Sequence, residues 1–263
     1  VSNYSDELTP EALAQWRADG VGLVLIQAFP PSYVQYAEQR RQMAACAQAG
    51  LPFDCYVYDY LGDPTWLWSA LDGIDQVVLP SEKPRMAWLD EEDVETEVGW
   101  SAAARVSAIS NSIGSVKQRG YRVGIYSARW WWVPKTADFK GFSEYPLWMA
   151  QYDGVADSTV IMQFGGWQIC AIKQYAGSQP DGTDLNVLSE EEEAEVAQKC
   201  DTYKAAIEPY TRSDMSPEAR ANAEALAGAM LETWRDDVKR ARPAAAGSID
   251  SYLRDPVATI RAA

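Results

Sequence analysis

Histidine is absent from the 263 residues. That omission removes Ser-His-Asp and Cys-His catalysis together with every histidine-based metal site. Acid–base work in such a chain falls to carboxylates, with Tyr or Lys as outside candidates. Cysteine is scarce, and Cys46, Cys55, Cys170 and Cys200 show no CxxC spacing. A tetrahedral zinc site or a redox motif is therefore not expected. Three of the four fall in an expected helix or strand, where a free thiol packs as a small apolar group. No run of about 18 apolar residues occurs, so no membrane span is expected. No signal peptide is visible at the start, which is Val1 rather than Met. Basic residues are outnumbered, 23 Lys and Arg against 38 Asp and Glu, for a net charge of -15. That balance argues against nucleic acid and anionic membranes as partners, because phosphate binding needs clustered cations.

What the chain has in quantity is apolar and aromatic surface. At 47% hydrophobic content it can bury a full core as one large domain, or as one domain with an extension. Helix-like and strand-like segments alternate. Thr9-Pro10-Glu11 offers an N-cap with proline at the first helical position, for a helix ending near Asp19-Gly20. A strand over Val21–Ala28 follows, then a helix over Ser32–Ala49 stopped by Gly50, and a strand over Phe53–Tyr60. Asp63–Leu71 reads as a short helix, Arg85–Glu91 as a strand and Ser101–Arg119 as a long helix stopped by Gly120. Further strands are expected over Tyr121–Ser127, Leu147–Tyr152, Ile169–Tyr175 and Asp184–Leu188. Strands separated by helices, with repeated glycine stops, point to parallel βα units in a barrel or a doubly wound sheet.

After Leu188 the pattern changes. Ser189 to Glu192 forms a capping box, predicting a helix to about Ile207. A second helix should begin at Ser216-Pro217-Glu218, with Ala223, Leu226, Met230, Trp234 and Val238 spaced by three and four along one face. The expected organisation is a barrel over residues 1–188 and a helical extension over 189–263. The apolar stripe of the extension should pack on the barrel or on a neighbouring chain or assembly.

The chemistry concentrates in Met86-Ala87-Trp88-Leu89-Asp90-Glu91-Glu92, an apolar run that ends in acid. In βα folds the active residues sit where strands end at their C-terminal edge. Side chains two apart on a strand share a face, so Asp90 and Glu92 should project together, with carboxyls roughly 6–7 Å apart. Two carboxylates that close in a partly desolvated cleft do not both ionise easily, and one pKa should rise. A protonated acid beside an ionised one is what cleavage of a glycosidic bond requires. The same residues also fit a strand running out into a solvated acidic loop, since Asp93, Glu95 and Glu97 follow. Flat aromatic side chains suit the apolar faces of sugar rings, and Trp130-Trp131-Trp132, Tyr58, Tyr60, Trp88, Trp148, Tyr152 and Tyr175 lie on or beyond strand ends. Filling the barrel interior is their alternative use.

Together these landmarks resemble the glycoside hydrolase family 25 lysozymes, the muramidases of phages and bacteria. The resemblance covers about residues 1–188. Val1-Ser2-Asn3-Tyr4 matches the segment after a first-strand Asp, and Asp90-Glu91-Glu92 matches the Asp-x-Glu closing a central strand. Tyr121–Ser127, Trp148–Tyr152 and Ile172–Tyr175 match later strands, and Asp184-Leu185-Asn186 the closing Asp-Leu-Asn. The family implies an irregular TIM-like (β/α) barrel, a groove for the glycan of peptidoglycan at the strand C-termini, and catalysis without a metal or other cofactor. Carried over, Glu92 would be the general acid and Asp90 would stabilise developing positive charge or orient the group that does. Asp184 would tune that pair. Asp59, Tyr58, Tyr126, Trp130, Trp148, Gln151 and Gln174 would contact substrate. The expected setting is extracellular or the host cell envelope, as for an endolysin or a virion-associated protein. Two positions depart from the family: Tyr58-Asp59-Tyr60 stands where Tyr-His-Phe is frequent, and Lys173 where an aromatic is usual. The family's first-strand Asp would sit immediately before Val1. A muramidase that cleaves the β-1,4 bond between N-acetylmuramic acid and N-acetylglucosamine is one expectation. A non-catalytic wall-binding or virion-structural module on a degenerate barrel is the other.

Overall fold

The computed structural model describes residues 8–61, 63–76, 83–92, 99–177 and 183–197. The landmark Val1–Tyr4, the acidic residues 93–97, the first expected tail helix beyond residue 197 and the whole of the second lie outside the described residues. Seven strands form one sheet in sequence order: β1 (Val24–Gln27), β2 (Phe53–Tyr58), β3 (Met86–Glu91), β4 (Arg122–Ser127), β5 (Leu147–Ala150), β6 (Ile172–Ala176) and β7 (Leu185–Leu188). Helix α1 (Pro10–Ala18) precedes β1, and α2 (Tyr36–Ala49), α3 (Pro64–Asp75), α4 (Ala102–Gln118) and α5 (Arg129–Thr136) lie between successive strands up to β5. None of the described helices is long and apolar enough to cross a membrane.

Local chemistry accounts for most boundaries. The Thr9 hydroxyl accepts from the Ala12 N–H at 3.2 Å, and Pro10 fills the first turn of α1. Asp63 caps α3 through the Thr65 and Trp66 N–H groups, and Ser101 caps α4 through Ala104. Helix α2 ends at Gly50, whose φ of 63° is the left-handed conformation that closes a helix. Helix α5 was not expected. It has no side-chain cap and carries Pro134 inside it, so its local signals oppose a helix. Burial drives it instead, because Trp131 and Trp132 are both fully enclosed against the outer face of the sheet.

The strand pairings β1 through β6 are parallel, as expected from βα alternation. Strand β7 corrects that expectation, since it runs antiparallel to β6 with a bulge between Gln174 and Ala176. Its link from β6 is too short for a helical crossover, and an antiparallel return needs none. Among the described residues β1 and β7 are edge strands. The described sheet is thus a half-barrel rather than the closed TIM-like ring. Its curl shows in the interior, where the rings of Tyr56 on β2 and Trp148 on β5 approach to 5.6 Å. On a flat sheet, strands three apart would be separated by about 14 Å.

Alternation divides the side chains between two apolar layers. Outward residues such as Val57, Leu89 and Ile125 pack against the helices. Inward residues form a second core of Leu25, Met86, Trp88, Tyr126, Trp148 and Ile172. Asp54 closes the lower end of this interior, accepting from Arg85, the Met86 N–H and the Trp88 indole at 2.7–3.3 Å. Arg85 also pairs with Glu192 on a helix over 190–197, which Ser189 caps through the Glu192 N–H. Above this network Trp88 spans the width of the interior and needs space on the neighbouring strand. Gly124, paired with Trp88 in register, supplies it, because a Cβ there would lie 2.2 Å from the Trp88 ring. A Gly124→Ala variant should lose about 1–3 kcal/mol, the usual cost of overpacking. Urea unfolding followed by circular dichroism measures it, and an unchanged midpoint would show that Trp88 repacks freely.

Candidate active site

Strand β3 is buried along its whole length and delivers three acids in succession at its C-terminal end. Alternation sends Asp90 and Glu92 inward and Glu91 outward. Asp90 and Glu92 line a cleft of about 540 Å³ at the top of the inner core. Asp184, just before β7, reaches it from the far side. All three acids expected to be catalytic therefore share one cavity.

The floor and walls are aromatic. Trp148 lies at its centre, with edge-to-face contacts to Tyr126 at 4.6 Å, Tyr56 at 5.6 Å and Trp88 at 6.0 Å. Its indole N–H donates to Asn186 Oδ1 at 2.8 Å, which fixes the ring plane. Tyr126 donates to Gln174 Oε1 at 2.8 Å, and Tyr152 donates to the same oxygen at 3.2 Å. Tyr126, Trp148 and Gln174 are thus brought together as the sequence predicts. Tyr56 and Tyr152 join them. The signal for Tyr56 was its place two residues before Tyr58, on the same face of β2.

Burial decides the electrostatics. Asp90 is 6% exposed, and one of its carboxyl oxygens, Oδ1, is buried with no hydrogen-bond partner among the described residues. Its pKa is pushed well above the ordinary carboxylate range, first by burial, then by repulsion from Glu92 and Asp59. Burial first, then the Asp90 carboxyl, with Glu92 a smaller cause, push the Tyr56 and Tyr126 phenols well above their usual range. The cleft therefore holds a carboxyl that resists ionisation beside a second carboxyl, over a surface suited to stacking. Among the described residues no group of three or more His, Cys, Asp or Glu is arranged to hold a metal ion.

Residues 1–180 match the model of glycosyl hydrolases family 25. The chain belongs to glycosyl hydrolase family 25. A probable family 25 lysozyme of Dictyostelium discoideum is 37% identical over 92 residues, which is 34% of this chain and 41% of that protein. The matched segment thus spans less than half of that relative's length. Among solved structures, the muramidase from Acremonium alcalophilum is similar with a TM-score of 0.57 at 19% identity, covering 76% of this chain and 96% of that one. The catalytic domain of an endolysin from Listeria monocytogenes bacteriophage P40 gives 0.55 at 18% identity, covering 74% and 94%. At such identities the structural likeness is one of fold.

Within this family 25 chain, four expected contact residues lie outside the acidic cleft. Tyr58 stands on the rim, edge-on to Tyr60 at 5.0 Å. Trp130 and Gln151 line a neighbouring cleft, and Gln151 also braces the loop after β5, accepting from Met162 N–H at 2.8 Å. Trp131 and Trp132 belong to the outer core. Asp59 turns away behind the sheet, where its carboxyl hydrogen-bonds Ser112 on α4 and Glu91. Burial raises its pKa to about 6, against the lowering effect of those two bonds.

That shift has a definite sign. A carboxyl whose folded pKa exceeds its unfolded value stabilises the fold fully below about pH 3.9. The stabilisation is lost as pH rises through about 6. Asp59→Asn should therefore gain stability over the parent above pH 7, on the order of 2 kcal/mol, and show little gain below pH 4. Thermal melts at several pH values measure this. A gain equal at all pH values would mean that Asp59 does not titrate in this range.

Proposed function

We propose that this chain is a muramidase, hydrolysing the β-1,4 bond between N-acetylmuramic acid and N-acetylglucosamine in peptidoglycan. The observation that carries the reading is the gathering of Asp90, Glu92 and Asp184 in one aromatic-floored cleft, in a chain of family 25. A sugar ring stacks on the Trp148 and Tyr56 surface, while Gln174 and the Tyr126 and Tyr152 hydroxyls meet its polar edge.

In the empty cleft Asp90 and Glu92 share a proton as a pair. Glu92 is half-buried at the mouth and Asp90 is buried beneath it. Burial favours that proton on Asp90, and the reactive form is the other tautomer, with the proton on Glu92 and the charge on Asp90. As Glu92 donates to the leaving glycosidic oxygen, positive charge grows on the sugar and the ionised Asp90 below it is the complement; a water then adds at that carbon and gives its proton to the carboxylates, which restores the pair. Asp184 adds a third acid whose field favours retention of the proton. No step calls for histidine or a metal. The expected setting is the bacterial wall outside the cytoplasm. The second reading, a module that binds wall glycan without cutting it, is decided by the same experiment.

Glu92→Gln should reduce the release of reducing ends from purified peptidoglycan by about 10²–10⁴-fold, the usual contribution of general acid catalysis, with an unchanged circular dichroism spectrum. Undiminished activity in that variant would remove Glu92 from the role. Sedimentation of the parent with insoluble wall, without soluble product, would replace the muramidase with the binding module.

A further inference from the structure

A second cleft of about 230 Å³ adjoins the acidic one, lined by Arg129, Trp130, Met149, Gln151, Tyr152 and Met162. Tyr152 belongs to both, forming the wall between them. Their chemistry is opposite. The first holds three carboxyls. The second presents the exposed faces of Trp130 and Met162, at 60% and 54% exposure, beside the Arg129 guanidinium.

One acid, Asp153, also lines the second cleft, and it is already neutralised. Lys173 Nζ pairs with its Oδ2 at 3.0 Å. The Val155 N–H, the Gln151 amide and Lys173 together hold the Asp153 carboxyl down to about 2. Lys173 is fully buried beneath the loop 151–162 and also donates to the Val160 carbonyl at 2.8 Å and the Asp157 carbonyl at 3.3 Å. All three ammonium protons are thus used on one loop. The cleft is shaped before any ligand arrives, and its uncompensated charge is positive.

We propose that this second cleft is a subsite for the anionic peptide arm that a peptidoglycan glycan carries, with Arg129 binding a carboxylate and Lys173 positioning the loop. The proposal rests on the muramidase reading and adds the part of the substrate beside the cut. A carboxylate-bearing arm is repelled from Asp90, Glu92 and Asp184, and Arg129 lies across Tyr152 from them. Guanidinium–carboxylate pairing is geometrically specific, and Trp130 with Met162 covers the apolar side chains of a short peptide.

The test compares two soluble glycan oligomers, one bearing its peptide arms and one stripped of them by an amidase. Binding is read by isothermal titration calorimetry and turnover by reducing-end release. Arg129→Gln and Trp130→Ala change exposed residues, so both variants should fold. Each should weaken binding of the peptide-bearing glycan about tenfold and raise its KM without changing kcat. The stripped glycan should bind and turn over as with the parent. Lys173→Met should move KM for the peptide-bearing glycan in the same direction. Equal losses on both glycans, or no loss on either, would overturn the subsite. If the parent cleaves neither glycan, the muramidase reading fails by itself. Calorimetry then still decides the subsite: arm-dependent binding lost in Arg129→Gln supports it, and binding indifferent to the arms overturns it.

Discussion

The desolvation of Asp90 is the constraint to which the rest of the site answers. Its carboxyl stands on the layer formed by Trp88, Trp148 and Tyr126, where an ionised group loses water and gains no cation among the described residues. A second carboxyl on the same strand face adds repulsion. Burial is the larger cause and Glu92 the next. Neither could act if the interior below were wet. The packing of Trp88 against Gly124 and the closure of the lower end by Asp54 and Arg85 are therefore part of the chemistry as well as the fold.

Three consecutive acids at one strand end also serve two compartments. Asp90 and Glu92 enter the cleft, while Glu91 goes behind the sheet to Asp59, which also meets Ser112. The two compartments are not electrically independent, because Asp59 contributes to holding up the Asp90 pKa. Ionisation of Asp59 makes Asp90 harder to ionise. The resistance of Asp90 to ionisation thus draws in part on an acid behind the sheet.

Much of this was legible in the sequence because it follows from alternation. The apolar run ending in Asp90-Glu91-Glu92 fixes which acids share a face, and the caps at Thr9, Asp63, Ser101 and Gly50 mark helix ends by local chemistry alone. The outward turn of Asp59 follows the same alternation, since its parity is opposite to that of Tyr56 and Tyr58 and its N–H still bonds the Asp90 carbonyl at 3.1 Å; placing it in the groove set that parity aside. Helix α5, by contrast, was hidden. Its stability comes from burying Trp131 and Trp132 under a partner layer, and local propensity carries no trace of that. The reversal of β7 likewise depends on how far the sheet has already curled.

Lys173 shows what a departure from family pattern can mean physically. An aromatic at that position could fill the space beneath the loop with apolar contacts, which are non-directional and leave the loop several ways to settle. A buried ammonium is different, because it requires acceptors for each of its protons and is costly without them. The twelve-residue stretch 151–162 contains no regular helix or strand, so its carbonyls have few partners of their own. Turning Asp157 and Val160 inward to Lys173 satisfies both requirements at once. The exchange adds definition more than stability. The loop it defines carries Tyr152, the residue that separates a cleft of acids from one with a cation.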